Sequence, residues 1–89
     1  MRNTWKLKYE DHSIHVENTL LSDQLYVDGV LQDEHIGLHL SSRLYGKLKN
    51  SRGEFEDIKI SLSAKCPNTE CRIFIGERLI YSTGLQWNM

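Results

Sequence analysis

The chain has 89 residues, 26% of them charged, and a net charge of −1; that size and balance describe one globular domain, 1–89, and not a disordered tail. No run approaches the roughly 18 apolar residues of a membrane helix, and the charge lacks the basic excess of a dedicated nucleic-acid binder. The start, Met1-Arg2-Asn3-Thr4-Trp5-Lys6, has no apolar signal region, and two cysteines are too few for a disulfide framework, so a cytoplasmic location is expected.

Trp5-Lys6-Leu7-Lys8-Tyr9 alternates apolar and basic residues, the pattern of a half-buried strand. Glu10-Asp11 reads as a turn. Residues 12–17 alternate again, with Ile14 and Val16 on one face and Ser13, His15 and Glu17 on the other. Asn18-Thr19 opens a loop, and Ser22-Asp23 punctuates before Leu25-Tyr26-Val27-Asp28-Gly29-Val30-Leu31. Strand formers on both sides of Asp-Gly are the strongest local signal for a tight hairpin, because a type I′ turn needs positive φ at both central residues. Gln32-Asp33-Glu34-His35 is polar and is expected to end this hairpin.

Residues 36–48 admit two periods. Ile36, Leu40 and Leu44 are four apart, as on a helix, while Ile36, Leu38 and Leu40 alternate, as on a strand. Gly37 and Gly46 would each cost about 1 kcal/mol inside a helix, so two short strands, 36–40 and 43–49, are expected, with a one-turn helix as the alternative. Asn50-Ser51-Arg52-Gly53 is a turn cluster. Residues 58–64 give the cleanest period of two, with Ile58, Ile60 and Leu62 opposite Lys59 and the serines. Residues 66–71 carry the next reversal. A second hairpin follows, 72–75 and 78–82, around Gly76-Glu77, which suits a type II′ turn with glycine first. Gly84 and a tail through Trp87 and Met89 close the chain.

No helical stripe is sustained, and turn signals recur about every 8–12 residues. The fold expected is all-β, a small antiparallel sandwich or barrel-like domain of about seven to nine short strands covering about half the residues. The expected core is Trp5, Leu7, Ile14, Val16, Leu25, Val27, Leu38, Leu40, Leu44, Ile58, Ile60, Leu62, Ile73 and Ile75.

The order of a tryptophan in the first strand, His12-Ser13-Ile14-His15-Val16-Glu17-Asn18, Leu25-Tyr26-Val27-Asp28-Gly29, Leu44-Tyr45-Gly46 and Cys71-Arg72-Ile73-Phe74-Ile75-Gly76 with Leu79 resembles one domain of the Fas apoptotic inhibitory molecule family. The resemblance spans residues 5–79 and implies a non-enzymatic β-sandwich. The chain departs from the family in being shorter, in lacking a second domain and in inserting residues 66–71. No interaction motif of the family is matched here, so its anti-apoptotic role is not carried over.

Cys66 and Cys71 flank a reversal, and a four-residue loop would set them face to face as a redox pair. Directly opposed Cβ atoms lie about 4.5–5.5 Å apart, wider than the ~3.8 Å of a disulfide, and a reducing cytosol keeps such thiols free. Lys65 and Arg72 adjoin them and would favour thiolate slightly. The histidines fall in two pairs, His12 with His15 and His35 with His39. A structural zinc needs four ligands in tetrahedral array, and nothing in the sequence brings histidines to cysteines, so no metal or other cofactor is expected. No nucleophile elbow, P-loop or dinucleotide fingerprint is present, so no catalytic residues are assigned.

Arg43, Tyr45, Lys47 and Lys49, with Arg52 beyond them, would form a basic stripe able to meet phosphates, with Tyr45 as a stacking platform. Glu54, Glu56 and Asp57 follow closely and are expected to dilute it, leaving a solvated face. The remaining expectation is a protein-interaction module acting through an edge strand, as a homodimer or with a protein partner; the candidate edges are the first strand, with Lys6 and Lys8, and the last, 78–82. The alternative is a thiol- or metal-linked regulator built on Cys66 and Cys71.

Both turn glycines are testable from sequence alone. Gly29→Val forces a β-branched residue to positive φ and is expected to cost about 1–2 kcal/mol or more, read as a lowered urea midpoint; Gly76→Val is expected to act similarly.

Overall fold

The computed structural model describes residues 2–64 and 69–83. Eight strands occur in order: β1 Arg2–Tyr9, β2 His12–Thr19, β3 Ser22–Val27, β4 Val30–Ile36, β5 Ser41–Lys49, β6 Phe55–Ala64, β7 Thr69–Ile75 and β8 Arg78–Ser82. They form two four-stranded antiparallel sheets, each a simple meander, β1-β2-β3-β4 and β5-β6-β7-β8, packed together as a small sandwich. Alternation places the core: Ile14 and Val16 from β2, Leu25 and Val27 from β3, Leu44 and Leu48 from β5, Ile58, Ile60 and Leu62 from β6, and Cys71, Ile73 and Ile75 from β7 are all buried. Trp5 and Leu7 pack against this cluster from β1 and are only partly buried, because β1 is an outermost strand.

Strands take 77% of the described residues, well above the half expected. Polar positions account for much of the difference. Asn18 and Thr19 continue β2, and Gln32, Asp33, Glu34 and His35 lie within β4 where an end to the hairpin was expected. Residues 36–40 are not a strand. β4 stops at Ile36, Gly37 adopts φ 122°, and the chain crosses to the other sheet. Leu38 and Leu40, expected in the core, are 73% and 84% exposed on this crossing; a connection between sheets runs over the surface, so its alternation has no core to face. Leu48 and Cys71 fill core positions that were not expected.

The two meanders repeat one another. Ile14↔Val27 and Val16↔Leu25 in the first sheet correspond to Ile58↔Ile75 and Ile60↔Ile73 in the second. Each sheet then turns through two residues, with Asp28 and Gly29 at φ 53° and 80° and Gly76 at φ 64°, which fits the two turn types expected. After each turn the register slips once: Tyr26↔Leu31 is followed by Leu25↔Asp33, and Phe74↔Leu79 by Ile73↔Tyr81. Gln32 and Ile80 are therefore the extra residues of equivalent β-bulges.

The equivalent bulges do different things. Ile80 packs against the core. Gln32 reaches across to β5, where its Nε2 donates to the Lys47 carbonyl (3.0 Å) and its Oε1 accepts the Lys47 N–H (2.7 Å). Asp33 Oδ2 accepts the Tyr45 N–H (2.8 Å). The free edge of β5 is thus bonded by side chains in place of another strand. Gly46 makes room for this: a Cβ there would lie 2.4 Å from Gln32 Oε1 and 3.0 Å from Leu25 Cδ2.

Gly46→Ala is expected to push Gln32 off the β5 edge and destabilise the fold by about 1–3 kcal/mol, despite the better strand propensity of alanine. In a Gln32→Ala background the same substitution is expected to cost much less. Urea denaturation of the four proteins of this cycle measures the coupling.

Candidate interaction surfaces

The Asp28-Gly29 turn does more than reverse the chain. Asp28 Oδ1 accepts the Ser13 N–H (2.9 Å) and Oδ2 meets His12 Nδ1 (2.7 Å). His12 Nε2 faces the Lys49 carbonyl, at the end of β5. Both imidazole nitrogens therefore face acceptors, and only the imidazolium can donate from both. The hydrogen bond to Asp28, and then that to Lys49, raise the His12 pKa above its ordinary value, while the bond from His12 holds the Asp28 carboxyl below its own. Glu10, at φ 54° in the first turn, accepts the Ser51 N–H (2.8 Å). His12 and Glu10 so tie the β1–β2 end of one sheet to the β5–β6 end of the other.

The two outermost strands at equivalent places in the repeat, β1 and β5, differ sharply. Asp28 N–H donates to the Ser13 carbonyl (2.8 Å), so the odd-numbered backbone groups of β2 turn toward β3 and the even-numbered ones toward β1. With Tyr9↔His12 closing a two-residue turn, the ladder alternation points the N–H and C=O groups of Thr4, Lys6 and Lys8 away from β2. On β5 the corresponding groups of Tyr45 and Lys47 are taken by Asp33 and Gln32. At the places of Gln32 and Asp33 the second sheet carries Ile80, which packs against the core, and Tyr81. Among the described residues β1 has no sheet neighbour but β2.

Of the expected redox pair, Cys66 lies outside the described residues. Cys71 faces the core opposite Leu62, with no exposed surface, and burial pushes its thiol up to about 12. A buried thiol with so high a pKa is a poor nucleophile at neutral pH. His15 stacks on Tyr26 (5.3 Å) and His35 lies beside His39 (5.3 Å), so the histidines are dispersed over three places. Among the described residues no three His, Cys, Asp or Glu side chains gather around one point, and no helix is long and apolar enough to cross a membrane.

Sequence reasoning passed over a polar end to the core. Asp23 is buried and accepts from Ser42 Oγ (2.7 Å) and from Asn18 Nδ2, and Asn18 Oδ1 accepts from Asn3 (2.9 Å). Asn18, Asp23, His39 and Ser42 border a cavity of about 20 Å³, room for a single water and far too small for a substrate. The Ser42 hydroxyl is committed to Asp23, so this cluster reads as bonded structure. A period-two reading with Asp23 in phase with Leu25 and Val27 would have shown that Asp23 points inward.

The basic stripe is where the sequence placed it, with Arg43, Tyr45, Lys47 and Lys49 sharing the outer face of β5. The acidic residues expected to dilute it mostly lie elsewhere. Glu56 turns to the edge of the sandwich, within 3.2 Å of Tyr9 Oη and 3.3 Å of Arg78, and a bond from Asn50 holds its carboxyl below the usual range. Glu54 pairs with Arg52 in the β5–β6 loop (3.2 Å). No family model, curated protein or solved structure matches the chain.

The His12 bridge makes stability depend on pH from both sides. The folded state holds the His12 proton more tightly than the unfolded state, so its contribution is full below about pH 6.5 and fades as pH rises through the higher folded value. The Asp28 contribution is full above about pH 3.8 and fades as pH falls through its lowered value. Stability relative to His12→Gln is expected to peak between these limits and to shrink on the alkaline side, as read from urea midpoints across pH.

Proposed function

We propose that this protein is a non-enzymatic interaction module that docks an extended segment of a partner protein along the outer edge of β1. The observation that carries this reading is the contrast between two equivalent edges, one capped by Gln32 and Asp33 and the other left with outward backbone groups at Thr4, Lys6 and Lys8. A strand added there would gain main-chain hydrogen bonds for affinity and side-chain pairing for selectivity. Lys6 and Lys8 are exposed on this edge and favour acidic residues at alternate positions of the incoming strand.

Self-pairing of β1 is disfavoured, because antiparallel docking of two copies sets lysine against lysine or close to it, and like charges across a pair are destabilising. The resemblance to the Fas apoptotic inhibitory molecule family implies the same non-enzymatic class. The proposed setting is the cytoplasm. The burial of Cys71 favours a packing role for that thiol over a regulatory one.

The test uses extended peptides selected from a random library on the intact protein. Bound peptides are expected to protect the Lys6 and Lys8 amides from exchange. Lys6→Pro, which removes an outward N–H without breaking a bond to β2, is expected to weaken binding about tenfold or more, while Lys6→Ala costs a few-fold at most. Selected peptides that protect other strands, or outward β1 amides already protected in the free monomer, would overturn the reading.

A further inference from the structure

The near-zero net charge hides a division. Residues 1–40 hold seven acidic and three basic side chains, and residues 41–89 hold five acidic and eight basic. The second sheet concentrates its share on one side. Across β5, β6 and β7 the outward positions form rows set by the register: Arg43–Ser61–Arg72, then Tyr45–Lys59–Phe74, then Lys47–Asp57, then Lys49–Phe55.

Among the described residues this face carries five cations and three aromatic rings. Its carboxylates are Asp57, 3.2 Å from Lys47, and Glu70, 3.4 Å from Arg72. Tyr45 and Phe55 are 56% and 67% exposed, so both rings are open to a ligand. Lys59 stands over Phe74 at 4.6 Å from the ring centroid and Lys49 over Phe55 at 5.4 Å. An open groove of about 600 Å³ runs beside Tyr45, bordered also by Gln32, Lys47, Asp57 and Lys59.

We propose that this outer face of the β5-β6-β7 sheet binds single-stranded nucleic acid, with Tyr45 and Phe55 as stacking platforms and Arg43, Lys47, Lys49, Lys59 and Arg72 meeting phosphates. A polyanion alone would need only the cations. Exposed rings interleaved with cations at strand spacing also match a chain of flat bases joined by phosphates, because every base offers a π-face and stacking tolerates any sequence. The exposed rings suit an unpaired strand, whose bases can lie against them; a duplex keeps its bases stacked inside. Lys59 and Lys49, resting on Phe74 and Phe55, can swing to phosphate and uncover the rings. The face shares no residue with the β1 edge, so each proposal can fail alone.

The test measures fluorescence anisotropy of labelled oligo(U) and oligo(dT) strands of about twelve nucleotides with the intact protein, beside a heparin fragment and polyglutamate. Binding of the strands is expected, weakening roughly 10–100-fold between about 50 and 200 mM salt. Tyr45→Ala is expected to weaken strand binding about fivefold or more and leave heparin unaffected; Lys59→Gln is expected to weaken both. Tyr45→Leu, with an unchanged urea midpoint, separates stacking from stability. The proposal is overturned by no strand binding at low salt, by equal loss of heparin and strand binding in the tyrosine variants, or by tighter binding of polyglutamate than of either strand.

Discussion

The side chain of Gln32, lying across Gly46 on the backbone of Lys47, is the contact on which the joining of the two sheets depends. A sheet edge presents unpaired N–H and C=O groups that must find partners in water, side chains or another strand. Here the first sheet does not extend a strand to the second. It extends two side chains, from Gln32 and Asp33, that present an acceptor to Tyr45 and both an acceptor and a donor to Lys47. A primary amide offers the same donor and acceptor as a peptide group, so one glutamine can substitute locally for a strand. The bulge turns Gln32 in that direction, and the glycine opposite lets it arrive.

Around that seam the remaining ties between sheets are polar and sit at the ends. His12 links the Asp28 turn to the Lys49 carbonyl, Glu10 takes the Ser51 amide, and Tyr9, Glu56 and Arg78 meet at the opening of β8. At the other end Asp23, Asn18 and Ser42 close the core with bonded polar groups. The apolar centre supplies most of the driving force and little direction. The end contacts are directional, and they set how one meander lies on the other.

The repeat explains why two different surfaces arise from one pattern. Ile73-Phe74-Ile75 and Leu25-Tyr26-Val27 hold the same ladder positions, and both meanders carry a one-residue bulge at the third position after the turn. What differs is the chemistry at equivalent places. Gln32 and Asp33 cap an edge where Ile80 and Tyr81 do not. Gly46 yields space where Leu7 fills it. The outer face of the second sheet gathers cations and rings, while that of the first mixes Lys6 and Lys8 with Glu17 and Glu34. The two meanders thus present an open strand edge on one and a charged face on the other over one shared core.

Alternation by itself determined the sheet class, the two glycine turns and most of the core, because a period of two follows directly from strand geometry wherever one face is buried. Ile14, Val16, Ile58, Ile60 and Leu62 were legible for that reason. The same signal misled at Leu38 and Leu40, which alternate along a crossing with no opposing sheet. Asp23 and Cys71 follow the same alternation as Leu25 and Ile73, but the bond from Gln32 to β5 and the turning of Glu56 to Tyr9 and Arg78 were decided only by the tertiary structure. Each depends on which strand ends up beside which, and a partner 15 or more residues away leaves no mark on the local pattern.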